Sequence, residues 1–127
     1  MSTWVRIEDV SHKPLEGYIC EYRKLVGSSF AAQFPMLAYV ATFGRTTFNY
    51  VQVYAIVSEV ERIEAMVSEL GAEETLRALD ALKTDIEALD IAGWDPERDL
   101  PGLLSDLKEL CAVVHAKPHR YLVFLGD

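Results

Sequence analysis

Cys111, His115 and His119 recur at intervals of four. On a continuous helix that interval stacks a thiolate and two imidazoles on one face, a donor set that suits zinc. Pro118 breaks the geometry, because it has no amide donor and pushes Lys117 toward extended backbone, which ends the helix before His119 can join the face. The three then read as a packed cysteine and two histidines near a helix C-terminus, where positive charge is favoured. No obvious fourth ligand accompanies them, His12 being the one that folding could bring near, and the sequence is read as implying neither a metal nor a cofactor.

Nucleophilic catalysis needs a serine or cysteine beside a histidine base and a third, orienting group. The residue types are present, but no nucleophile elbow is, and Cys20 and Cys111 fall at positions that read as apolar faces. Buried thiols of that kind are inert. The carboxylate pairs Asp95 with Asp99 and Asp85 with Asp90 would do acid and base work only if burial split their pKa values. Trp94-Asp95-Pro96-Glu97 is read instead as an interhelix loop, with Asp95 as helix cap and Trp94 as anchor. Gly44 to Thr47 (Gly-Arg-Thr-Thr) lacks the lysine and spacing of a phosphate cradle. The pattern points away from an enzyme.

Two features point to binding. Tyr18, Tyr22, Tyr39, Tyr50 and Tyr54, with Phe43, Phe48 and Arg45, lie on elements that can share a sheet and its covering helix. Aromatics and arginine dominate both ligand pockets and interface hot spots. A small-molecule site would use Tyr22, Tyr39, Arg45, Tyr50, Tyr54, His115 and His119. The second feature is charge: residues 58–99 hold thirteen acids against four bases, a net of −9, within a chain whose total is −8. The other 85 residues therefore sum to +1. A surface of one sign steers an oppositely charged protein and raises its association rate by roughly 10 to 10³ fold. The expected function is a noncatalytic protein-interaction domain, of inhibitor, immunity or chaperone-like type. It binds a basic partner protein through Glu59, Glu61, Glu64, Glu69, Glu73 and Glu74.

The elements that must position these groups follow from periodicity. Thr3 to Glu8 alternates apolar and polar residues as a half-buried strand does. Pro14 followed by Leu15, Tyr18, Ile19, Tyr22, Leu25 and Val26 fits an amphipathic helix that stops at Gly27. Leu37 to Phe43 and Thr46 to Val57 are rich in β-formers around Gly44-Arg45 and suggest a hairpin, with a helix through Phe48, Val51 and Ala55 as the rival. Ser58 followed by Glu61 reads as a capping box that opens a helix over Val60, Ile63, Val67 and Leu70, closed by Gly71. A second helix spans Ala72 to Asp90 through Leu76, Leu79, Leu82, Ile86 and Leu89. A third runs through Leu103, Leu104, Leu107, Leu110, Cys111 and Val114, and Arg120 to Leu125 is a buried strand. Helices grouped between strands give the α+β class: a small antiparallel sheet of about four strands covered by three to four helices within residues 58–116.

Length and composition agree with one globular domain over residues 1–127: half the residues are apolar and a quarter charged. The net charge of −8 disfavours nucleic acid and anionic membranes. With two distant cysteines and no export signal or bilayer-length apolar run, the expected compartment is the cytoplasm. The leucine stripes of the second and third helices are also able to face another copy in a homodimer.

Overall fold

The computed structural model describes residues 3–41, 44–81 and 94–126. Strands β1 (Thr3–Asp9), β2 (Pro14–Tyr22), β3 (Gly44–Phe48) and β4 (Arg120–Gly126) form one antiparallel sheet in the order β2-β1-β4-β3. Helices α1 (Val53–Leu70), α2 (Ala72–Ala78) and α3 (Pro96–Ala116) are grouped in the C-terminal half, as the α+β reading expects. Among the described residues no helix is long and apolar enough to cross a membrane.

The largest departure from expectation is residues 14–22, which form a strand and not a helix. The reason is local. Asp9 accepts hydrogen bonds from the amides of Ser11 (2.8 Å) and Lys13 (3.1 Å), and His12 takes a positive φ of 63°. These close a tight turn that returns the chain along β1, pairing Val5 with Cys20 and Thr3 with Tyr22. Tyrosine and isoleucine at 18, 19 and 22 suit either period, so the turn decides. Pro14 sits at the first position of the strand, where a missing donor is tolerated.

The expected hairpin over 37–57 does not form among the described residues, although 46–48 of its second arm lie in a strand, β3. Residues 31–40 run through turns, β3 pairs with β4, and α1 begins at Val53. Helix α1 starts at Val53, with Gln52 at the cap position six residues before the expected cap Ser58, and a side-chain box stands in the turn leading into it. Asn49 Oδ1 accepts from the Gln52 amide at 2.9 Å while Gln52 Oε1 accepts from the Asn49 amide at 2.9 Å, a reciprocal box. Gly71, at φ 85°, closes α1 as expected. Helix α2 stops at Ala78, short of the expected end at Asp90, and Asp80 takes φ 61°. Phe43, Leu82, Asp85, Ile86, Leu89 and Asp90 lie outside the described residues. Helix α3 opens at Asp95, whose side chain accepts from the Glu97 amide, and ends at Lys117, which is extended ahead of Pro118 (φ −141°, ψ 143°).

Strand alternation gives the sheet two unlike faces. Val5, Ile7, Tyr22, Leu122 and Phe124 point inward and join Ile56, Val60, Ile63, Leu104, Leu107 and Val114 of the helices in one core. Full burial of each such side chain stabilises by about 1.5–3 kcal/mol relative to exposure. The outward set includes Trp4, Arg6 and Glu8 of β1 and Val123 of β4; Val123 is 1% exposed yet stands outside the core cluster. Helices α1 and α3 run antiparallel, joined by Tyr54 to His115 at one end and Glu64 to Lys108 further along.

Candidate protein-interaction surface

Along α1, residues 54, 58, 61, 65 and 68 recur at three- and four-residue steps and are all exposed, so they form one solvent stripe. Tyr54 heads the stripe, beside the exposed Tyr50 and Val51. The Tyr54 hydroxyl meets His115 Nε2 at 2.6 Å, and the two rings lie 4.3 Å apart in a tilted stack. Further along come Glu61, also exposed, and Glu64, whose carboxylate takes a 2.7 Å hydrogen bond from Lys108 Nζ. That bond raises the lysine pKa, with the Glu61 charge adding to it. Glu69, Glu73 and Glu74 continue the acidic surface onto α2. Arg77 hydrogen-bonds Glu73 at 2.9 Å and lies 3.8 Å from Glu74, partly offsetting the pair.

Glu59 does not belong to this surface. It is 2% exposed, and its two carboxylate oxygens accept from the Met36 amide (3.0 Å) and the Leu37 amide (2.9 Å). Its position is a correction to the outward orientation expected from a helix opening at Ser58. Once the helix starts at Val53, Ile56, Glu59, Val60 and Ile63 share the inward stripe at helical spacing. That spacing was available in the sequence and is the signal that identifies Glu59 as internal. Lys24 Nζ adds bonds to the carbonyls of Val40 (2.6 Å) and Ala38 (3.3 Å), so the turn-rich stretch behind β3 is tied down by two charged side chains.

The tyrosine set is dispersed. Tyr22 is a core residue, 1% exposed and edge-on to Phe124, and burial drives its hydroxyl pKa up. Tyr39 stands in solvent on the turn segment, and Arg45 is committed to Glu8 on the outer sheet face. His119, at φ 66°, lies in the turn between α3 and β4. Of this set, Tyr54 and His115 are the pair that the structure brings together. Cys111 is buried while His115, one turn on, is exposed and hydrogen-bonded to Tyr54. Burial pushes the Cys111 thiol up to about 12 and the Cys20 thiol to about 11, Asp106 adding to the latter, so neither is a thiolate near neutral pH.

The sequence reading passed over Glu8. This outward carboxylate is 1% exposed, held by Arg6 Nε at 2.8 Å and Arg45 Nη1 at 2.7 Å. Burial acts to raise its pKa, but the Arg45 and Arg6 hydrogen bonds and charges prevail and hold it below the usual value. By register Arg45 lies opposite Leu125 and Glu8 opposite Tyr121, so the bond between them crosses β4 at Val123 and helps seal it. The alternation Trp4, Arg6, Glu8 places all three on one face, which is the signal for this cluster. No protein-family model, curated protein or solved structure matches the chain.

Proposed function

We propose that this protein is a noncatalytic interaction domain whose α1–α2 surface receives a basic protein. The observation that carries the reading is that exposed aromatics at the start of α1, Tyr50 and Tyr54, are followed along α1 and α2 by the exposed acids Glu61, Glu69, Glu73 and Glu74. The acids raise the encounter rate of a positive partner; the amphipathic rings supply contact area at low cost in rotamer entropy. Charge is concentrated there: apart from the buried Glu59, α1 and α2 carry five acids against two bases, a net of −3, while residues 3–52 carry four acids against five bases. Such a surface suits an inhibitor, immunity-type or chaperone-like role at a basic target.

The test is capture from native lysate at low and high salt, with the wild type and a Glu61→Lys, Glu69→Lys, Glu74→Lys variant. The reading predicts a basic protein held stoichiometrically by the wild type at low salt, weakened by high salt and lost from the folded variant. Equal retention by the two proteins refutes it.

A further inference from the structure

We infer that the outer face of the sheet is the seam of a symmetric dimer, in which two copies of this chain pack sheet on sheet. Antiparallel sheets with one face in water normally carry polar residues there. This face instead presents Trp4 at 41% and Ile19 at 55% exposure, with Val123 sealed between them and β3. Across the strands from β2 to β3, one row reads Glu21, Trp4, Leu125, Arg45. It has an acid at one end, a base at the other and two apolar residues between.

A twofold axis running along the strands, between β1 and β4, turns that row onto itself. Glu21 then faces Arg45 of the other copy, Trp4 faces Leu125 of the other copy, and both contacts occur twice, as an isologous interface requires. The outward side chains of the strands also sum to no net charge, since Arg6 and Arg45 balance Glu8 and Glu21, whereas the whole chain carries −8; Glu21 stands 3.8 Å from Arg23, just past β2, and is half-exposed. Because Glu8 lies 2.7 Å from both guanidiniums, neither arginine of the face is unpaired when two faces stack. Four strands about 4.8 Å apart and about six residues long make a face of roughly 20 by 20 Å, so two copies bury about 800 Å² in total, below the roughly 1,000 Å² that a stable interface clears, and the dimer is a weak, transient one. The pairing leaves the two acidic helical surfaces at opposite ends of the assembly, free for basic partners.

Sedimentation equilibrium of the full chain from about 1 to about 500 µM tests this. The expected result is a monomer–dimer equilibrium, with Kd raised at least about tenfold by Ile19→Lys and by Glu21→Lys. Both sites are exposed, so circular dichroism is expected to be unchanged. Leu70→Lys, an exposed position at the end of α1, serves as the control and leaves the dimer intact. A wild type that stays monomeric over the range overturns the inference. So does a dimer that survives both sheet variants, or one that Leu70→Lys dissociates while Ile19→Lys does not.

Discussion

Glu8 on the outer sheet face and Glu59 in the helical layer are both nearly sealed from water, at 1% and 2% exposure, and they are stabilised by opposite means. Glu8 is met by two guanidiniums, which cancel its charge and leave the cluster at +1 on a face that must remain near solvent. Glu59 is met by two backbone amides, which leave its charge uncancelled but satisfy donors that an irregular segment otherwise buries unpaired. The difference shows how one chain divides its charge. Glu8 in the sheet layer and Glu59 in the helical layer are consumed by structure, while the carboxylates on the exposed side of α1 and α2 stay largely available, offset among the described residues by Arg62, Arg77 and Lys108.

Replacing each group separates these roles. Glu59→Ala strands the Met36 and Leu37 amides and is expected to cost about 3 kcal/mol in urea unfolding, at about 1–3 kcal/mol per buried unpaired group. Amide exchange at Met36 and Leu37 should accelerate well ahead of the sheet; uniform exchange would mean the carboxylate does not hold that segment. Glu8→Gln keeps shape but removes the charge facing Arg6 and Arg45. Its expected cost is about 1–2 kcal/mol at neutral pH, below that of a fully buried pair because both arginines are partly exposed.

That second loss carries a pH signature. The folded pKa of Glu8 lies below its ordinary value of 4.5, so the folded state binds the proton less readily than the unfolded chain does. The clamp's contribution is complete above that ordinary value and disappears as pH falls through the folded one. Wild-type and Glu8→Gln stabilities should therefore converge in acid, and a gap that persists there would place the effect outside the ion cluster. The smallest change is Tyr54→Phe, which removes one exposed hydrogen bond to His115 and should cost about 0.5 kcal/mol or less by thermal melts.

Local signals carried much of this architecture. Alternation in Thr3–Asp9, the apolar run in Arg120–Gly126, the Gly71 stop and the Asp95 cap are each written within a few residues, and the corresponding elements form there. Residues 14–22 were illegible because their aromatic and branched residues satisfy both periods, and the deciding contacts come from the Asp9 turn and pairing with β1. The start of α1 was displaced because two sequences fit the same capping rule, and only Asn49 with Gln52 makes the bonds. That displacement propagated to the surface. It turned Glu59 outward on paper, whereas Glu61, Glu69, Glu73 and Glu74 are exposed and Glu64 is half-buried. The outer-face cluster depends on Arg45 reaching Glu8, 37 residues away in sequence, a separation that no window of periodicity spans.

The most direct measurement is the association rate of the captured basic protein with wild type and with the Glu61→Lys, Glu69→Lys, Glu74→Lys variant across a salt series. An acidic steering surface predicts that the variant lowers the on-rate by about tenfold or more at low salt, with little change in off-rate, and that the gap closes as salt rises. On-rates that match at every salt concentration would contradict the account.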